Sequence, residues 1–293
     1  MFFSVIVPAY NAEKSLPQLM AALSEQSFKD FEVIIVDDGS TDQTASLAAG
    51  SGFLLVKTDG NRGPAYARNA GAAASRGTFL VFTDADCVPR PDWMEAVARR
   101  LAAGKVDALM GRVVLEESNW LGNTISALGF PAGGAVGFDK IWKVDAAGNT
   151  TSFSTCNCAV RKEVFRAVGG FDESFPYPGG EDSLLARHVV AAGCRIRYCP
   201  RAIVHHAARS DFRGFLQWQY KRGVSSYIFS KKVTEKSSFL KLRLWSAGNV
   251  LAYGIKQRNL VAVAFFLALS YLVQIAGFLS ARYDRKIYAS THH

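Results

Sequence analysis

Three pairs of acidic residues stand where chemistry could be done. Asp84-Ala85-Asp86 follows the apolar run from Phe79 to Phe82, and Asp37-Asp38-Gly39-Ser40 follows the run from Phe31 to Val36. Acids at the ends of buried strands are costly unless they meet cations or hydrogen-bond donors. Asp84 and Asp86, one residue apart, suit a hard divalent cation, Mg²⁺ or Mn²⁺. Such an ion takes one or two carboxylates and fills its other positions with phosphate oxygens and water. Glu181-Asp182 follows Gly179-Gly180 at the start of a helical pattern, where glycine lets backbone or substrate approach closely. A carboxylate placed there has what a general base needs. Plainer uses exist for all three pairs, since Asp and Gly favour turns and acids favour the first turn of a helix.

These acids need a scaffold that ends its strands at one rim. Ser4-Val5-Ile6-Val7 is a short β-branched run closed by Pro8, and a helix follows with Ser15 as N-cap and Leu16, Leu19, Met20 and Leu23 on one face. Phe31 to Val36 and Phe53 to Val56 read as the next strands, with Asp42 capping a short helix between them. Gly63-Pro64 opens an Ala-rich helix, Thr78 to Phe82 is a fourth strand, and a helix from Pro91 leads to a strand at 106–110. The pattern predicts an α/β fold, a mostly parallel central sheet covered by helices on both faces. In such sheets ligands sit beyond the carboxyl ends of the strands, which is where the acids fall. Residues 116–150 lose periodicity and gather glycines and aromatics, as a functional loop would. Order resumes with a strand at 154–160, a short helix near 163–168, a helix from Glu181 to about Ala192, and strands at 195–198 and 203–204.

The formal charge of +9 is unevenly spread: residues 1–193 hold 17 basic against 22 acidic residues, and residues 194–293 hold 17 against three. The basic third therefore calls for an anionic partner. Its aromatics form no recognisable nucleic-acid module, so no nucleic acid is expected. Residues 260–281 carry no charge over 22 positions, enough to cross a bilayer core. Lys256 and Arg258 precede the run and Arg282, Arg285 and Lys286 follow it, so flanking charge leaves its orientation undecided. Residues 239–255 read as an interfacial helix or half of a helical hairpin. The five cysteines are scattered, and no charged leader with an apolar core opens the chain, so reduced thiols are expected. Cys156, Cys158, His205 and His206 match no familiar zinc spacing.

The motifs, in this order, resemble the family 2 glycosyltransferases, inverting enzymes with the GT-A fold; the resemblance covers about residues 1–215. Val5-Ile6-Val7-Pro8-Ala9-Tyr10-Asn11 is similar to the first strand and nucleotide-contacting turn of that family, which implies that Pro8, Ala9, Tyr10 and Asn11 line the nucleotide pocket. In Val36-Asp37-Asp38-Gly39-Ser40, the resemblance implies that Asp38 bonds the base. Asn61-Arg62-Gly63 and Ala67-Arg68-Asn69 add Arg62 and Arg68 to the pocket. Thr83-Asp84-Ala85-Asp86 implies Asp84 near the ribose and Asp86 on the metal, with Asp84 itself and His205 or His206 as further possible ligands. Gly169-Gly170-Phe171-Asp172-Glu173 and Gly180-Glu181-Asp182 match acceptor-side landmarks, with Gly180 and Glu181 facing the acceptor and Asp182 as base.

The implied reaction moves one sugar from a nucleotide-diphosphate sugar, a UDP-sugar by family habit, to a lipid-linked or membrane-proximal glycan. Processive members carry Gln-x-x-Arg-Trp, whereas Gln219-Tyr220-Lys221-Arg222-Gly223 has a shorter spacing and no Trp, which favours single addition. Arg222 is placed either on the diphosphate or facing solvent or lipid. The expected division is a catalytic domain at 1–215 and a basic, aromatic helical region at 216–293 that anchors the enzyme at the cytoplasmic face of a membrane. A sugar-nucleotide pyrophosphorylase would need a Gly-rich phosphate loop with a basic residue near Val7–Asn11, and a dehydrogenase would need G-x-G-x-x-G; both are missing. An inactive membrane scaffold with the same fold is the remaining alternative, set against it the presence of Asp84, Asp86 and Asp182 together.

Overall fold

A computed structural model describes residues 2–104, 106–233 and 236–284, with the side chains of 236–240 excepted. The chain divides into two compact units. The first runs to Val114 and adds Val144–Glu173 and Asp182–Ala207; the second holds Leu115–Lys143, Ser174–Glu181 and the chain from Ala208 on.

The first unit begins with the expected alternation: β1 (Phe3–Ala9), α1 (Leu16–Ser24), β2 (Phe31–Asp37), α2 (Thr44–Ala49), β3 (Leu54–Lys57), α3 (Pro64–Ala74) and β4 (Phe79–Phe82). Next come β5 (Cys87–Pro89), α4 (Trp93–Ala102) and β6 (Ala108–Leu115). After α5 (Trp120–Ser126) and α6 (Phe138–Ile141) of the second unit, the first resumes with β7 (Asn149–Thr150), β8 (Cys158–Arg161) and α7 (Lys162–Ala167). It closes with α8 (Glu181–Ala191) and β9 (Ile196–His206). The sheet order is β3-β2-β1-β4-β8-β6-β9-β5, with β7 on β9. Strands β1 to β4 pair in parallel, whereas β8 joins β4 and β6, and β9 joins β5 and β7, antiparallel.

Burial follows the sequence pattern. Ile6, Ile34, Leu80 and Phe82 are sealed in the sheet, and Trp93, Met94, Val97 and Leu101 form the inner face of α4. Leu16, Leu19 and Leu23 do the same for α1, while Met20 is only half-buried and Ser15 occupies the N-cap position with its hydroxyl turned back to the Ala12 carbonyl rather than capping the helix. The two short strands expected at 195–198 and 203–204 are one continuous β9.

The second unit contains α5, α6, α9 (Phe212–Lys232), α10 (Lys236–Lys256) and α11 (Leu260–Tyr283). Residues 116–143, read from the sequence as irregular, contribute Ile125, Leu128 and Ile141 to a core with Phe215, Val250, Val263 and Phe266. Helices of seven and four residues are too short to show a 3.6-residue period, which explains the difference. Helices α9 and α11 lie side by side in the same direction. A Cβ added at Gly223 would stand 2.1 Å from the Gln274 carbonyl oxygen, and one at Gly277 equally close to that of Tyr220. Gln274 also donates to the Gln219 side chain (2.7 Å). α11 is long and apolar enough to cross a membrane by length and composition. The flanking Arg285 and Lys286 lie outside the described residues.

Candidate functional site

Parallel strands β1 and β2 end together, and their loops are stitched to each other. The Asp38 amide donates to the Ala9 carbonyl (2.8 Å), the Asn11 amide to Ser40 Oγ (3.0 Å), and the Thr41 amide to Asn11 Oδ1 (2.8 Å). Asn11 sits at φ +49, a conformation asparagine tolerates better than most residues. Tyr10 is left half-exposed beside it. The Asp38 carboxylate turns inward, 4% exposed. Its Oδ1 accepts from the Arg62 amide (3.0 Å) and the Thr58 hydroxyl (2.9 Å), and its Oδ2 from the Gly63 amide (2.8 Å). Gly39 makes the turn at φ +73, where a Cβ would fall 2.6 Å from the Gly60 backbone. Asp38 therefore fixes the 60–63 loop that leads into α3, while the Arg62 guanidinium lies on the surface against Asp59 and over Tyr66.

One element along, β4 delivers Asp84 and Asp86 to the same end of the sheet. Arg68, buried on α3, donates to Asp84 Oδ1 at 2.8 Å, and the Cys156 thiol donates to Asp84 Oδ2 at 3.2 Å. Burial alone would raise the Asp84 pKa, but Arg68, Cys156 and His206 together hold the carboxyl below its ordinary range. Asp86 is freer, 47% exposed, with Oδ1 3.5 Å from His206 Nε2. The sequence reading offered His205 or His206 for this position and favoured His205, which the structure corrects. The pairing of β5 with β9 decides the geometry: Cys87 lies opposite His206 and Val88 opposite His205. Successive side chains on a strand point to opposite faces, so His206, not His205, meets the carboxylates. Burial opposes charge on His206, but Cys156, the Asp86 carboxylate and the Ala207 carbonyl raise its pKa to about 10. Ligand atoms of Asp84, Asp86 and Cys87 lie within 4.8 Å of one another, as do those of Cys87, Cys156 and His206.

A third element is tied in through Asn69 on α3. Its Nδ2 donates to the Phe171 carbonyl and to Glu173 (both 2.8 Å), and its Oδ1 accepts from the Phe171 amide (3.0 Å). The Gly169-Gly170 turn, at φ +86 and +70, presents Phe171 for this clasp and for an edge-to-face contact with Phe82. The sequence placed Asn69 in a motif without giving it work of its own. Asp182 stands in the first turn of α8, its Oδ1 accepting from the Ser183 amide (2.7 Å). The buried Cys158 thiol is pushed well up by burial, and after Arg68 the charges of Asp182 and then Asp84 act on it. Asp182 and Asp84, 98 positions apart in sequence, thus bear on one thiol. In the second unit, Glu181 is buried and accepts from the Gly179 amide (2.6 Å), and Gly180 packs against Phe175.

Residues 4–169, more than half of the chain, match the family model "Glycosyl transferase family 2", and residues 140–209 match "N-terminal domain of galactosyltransferase". The chain belongs to glycosyl transferase family 2. Glycosyltransferase AglE of Haloferax volcanii is 27% identical over 234 residues, 76% of this chain and 72% of that protein. A pre-mycofactocin glycosyltransferase of Mycobacterium tuberculosis is 28% identical over 254 residues, 85% of this chain and 51% of that protein. The chain thus spans about half the length of the second relative. The fold is similar to that of a mannosyltransferase from Pyrobaculum calidifontis, solved with GDP-Man and Mn²⁺, with TM-score 0.59, 22% identity, and coverage of 99% of this chain and 82% of that one. The family 2 chain is a GT-A-like glycosyltransferase, and its rim of acids lies where α/β sheets bind ligands.

Proposed function

We propose that this glycosyltransferase moves a single sugar from a nucleoside-diphosphate sugar to a lipid-linked or membrane-proximal glycan, with inversion, and that Asp182 is the base. What supports the reading is that Cys158, opposite Phe82 of β4 in the sheet, has the charges of both Asp182 and Asp84 acting on it. Asp182 takes the proton of an acceptor hydroxyl as that oxygen attacks the anomeric carbon from the face opposite the diphosphate. Fixing that oxygen and the sugar in line supplies much of the rate, with no covalent intermediate on the protein. Pro8, Ala9, Tyr10 and Asn11 form the nucleotide wall with Arg62. Asp38 acts on that wall from behind, by setting the 60–63 loop, and its committed oxygens argue against the direct base contact implied by resemblance. Arg68 keeps Asp84 charged.

Two carboxylates and an imidazole nitrogen fit a divalent cation, which Asp86 would hold with Asp84 and His206 in reach. Such an ion, when bound, neutralises charge that develops on the departing diphosphate. The mannosyltransferase solved with GDP-Man and Mn²⁺ supports both the donor class and the ion, and leaves UDP as one nucleotide among others.

For the acceptor, three guanidinium groups gather on two rings of the second unit. Arg222 lies 3.9 Å from the Phe130 centroid and 5.3 Å from that of Trp218, Arg209 4.8 Å from Trp218, and Arg243 5.9 Å from Phe130. Arginine on aromatic faces suits phosphate recognition, as a lipid-linked diphosphate requires. The catalytic work falls in residues 1–215 and membrane attachment in 216–293, with the enzyme at the cytoplasmic face. We read α11 as embedded in the interface rather than crossing it. Its partner α9 carries Arg213, Lys221, Arg222, Lys231 and Lys232, and taking such charges to a bilayer centre costs roughly 3 kcal/mol each. Val261, Phe265, Leu272 and Ile275 instead offer lipid an exposed apolar face.

A panel of nucleotide-sugars, assayed for nucleotide release with membrane lipid extract, tests the reading. Asp182→Asn should leave nucleotide affinity within about twofold and cut transfer by roughly two or more orders of magnitude. Full transfer by that variant would remove Asp182 from the chemistry.

A further inference from the structure

Behind the carboxylates lie two thiols that sugar transfer does not use, beside the imidazole of His206. Cys87 on β5, Cys156 in the loop before β8 and His206 at the end of β9 are buried, and their sulfur and nitrogen atoms lie within 4.8 Å of one another. Cys156 Sγ is also 3.2 Å from Asp84 Oδ2, while Arg68 donates to Oδ1. His206 Nδ1 donates to the Ala207 carbonyl (2.8 Å), which leaves Nε2 directed inward to act as a ligand atom. A metal-binding histidine is normally oriented by such a bond from its other nitrogen.

We propose that Cys87, Cys156 and His206 form a site for a thiophilic divalent cation, Zn²⁺ above all, with an Asp84 oxygen as fourth ligand. Two thiolates, one imidazole and one carboxylate make the tetrahedral N/S/O set that zinc prefers, and sulfur excludes Mg²⁺ and disfavours Mn²⁺. Zn–S bonds of about 2.3 Å and Zn–N or Zn–O bonds of about 2.0–2.1 Å place neighbouring ligands about 3.3–3.8 Å apart in a tetrahedron. Cys87, Cys156 and His206 offer ligand atoms within 4.8 Å of one another, and Asp84 Oδ2 reaches the set through Cys156 Sγ at 3.2 Å. The thiols give up their protons on binding, so the reaction releases protons to the buffer.

The site shares His206 with Asp86, whose Oδ1 is 3.5 Å from Nε2. A cation on the sulfurs draws His206 and Asp84 away from the position where a hard ion would sit between Asp86 and a diphosphate. Zinc would therefore compete with the manganese or magnesium on which transfer depends, and the site would act as an inhibitory metal sensor at the donor pocket. The zinc site stands whether or not Asp182 is the base.

Cobalt(II) titration of the reduced, full-length wild-type protein tests this without any activity assay. A thiolate site gives an intense near-ultraviolet sulfur-to-cobalt band together with strong visible bands of tetrahedral cobalt. Zn²⁺ should abolish both stoichiometrically, and Cys156→Ser and Cys87→Ala should each cut the charge-transfer intensity to about half or less, one of two thiolates being gone, and weaken Zn²⁺ affinity by more than about tenfold, the loss expected for even an outer-shell partner. A wild-type spectrum with only the weak bands of six-coordinate oxygen-bound cobalt would overturn the proposal, and so would a charge-transfer band of undiminished intensity in both variants. Because the wild-type spectrum alone can refute the site, misfolding of a variant does not shield it. Release of Mn²⁺ to solution on zinc addition, read by electron paramagnetic resonance, checks the competition; a bound Mn²⁺ signal unchanged at saturating zinc would refute it.

Discussion

Asp38 separates two readings of a motif that looks catalytic. If its carboxylate only touched the nucleotide, Asp38→Ala would weaken donor binding and leave the empty protein as stable as before. The structure commits that carboxylate elsewhere: it is 4% exposed and accepts from the Arg62 amide, the Gly63 amide and the Thr58 hydroxyl. Removing it strands two backbone donors, each worth about 1–3 kcal/mol when left unsatisfied. The losses share one loop and will not add in full, so about 3 kcal/mol is the working figure. For a unit of this size, that lowers Tm by roughly 6–12 °C. Asp38→Asn is the sharper variant. The asparagine oxygen can serve one side of the loop, but its NH₂ must then face a donor on the other, so most of the deficit should remain. Thermal unfolding of the ligand-free variants, followed by circular dichroism at fixed pH, measures the effect. A Tm within 2 °C of wild type for both, which is well under 1.5 kcal/mol, would refute the structural role.

Asn69 clasps Phe171 and Glu173 through three bonds, so Asn69→Ala should loosen the Gly169–Glu173 turn and cut kcat severalfold, while manganese affinity, read by electron paramagnetic resonance, stays unchanged. Glu32 gives a pH test. Burial would raise its pKa, but the Ser4 hydroxyl, the Arg76 amide and the Arg76 guanidinium outweigh it and hold the carboxyl below its ordinary value. A depressed carboxyl stabilises the fold above its unfolded pKa and loses that contribution as pH falls through the folded one. Arg76 is 78% exposed, so Glu32→Gln should cost no more than about 1 kcal/mol at pH 7, and the gap from wild type should close below the ordinary glutamate range. Leu272→Glu with Ile275→Glu alters only the exposed face of α11. The fold should survive, and co-sedimentation with anionic phospholipid vesicles should fall by more than tenfold, since each buried charge costs about 1.4 kcal/mol or more in binding.

The parallel half of the sheet and the inner faces of α1 and α4 were legible because their apolar period matches the element that carries it. The antiparallel half was not, because a continuous apolar run marks a doubly covered strand without saying which way it points. Strand β5 was missed for a different reason. Cys87-Val88-Pro89 is three residues long, ends in proline, and owes its strand character entirely to β9 across from it. Yet that pairing chooses between His205 and His206, and it brings Cys87 beside Cys156. The acids at the strand ends could be found by type and spacing, since cation and phosphate chemistry demands carboxylates. The sulfur and imidazole behind them come from positions 87, 156 and 206, and no local spacing rule links the three. Their meeting is a consequence of register, and a one-residue slip of β5 on β9 would send Cys87 to the face away from His206. If the proposed zinc site holds, the same pairing sets both whether His206 can reach an ion on Asp86 and whether the sulfurs can draw it away.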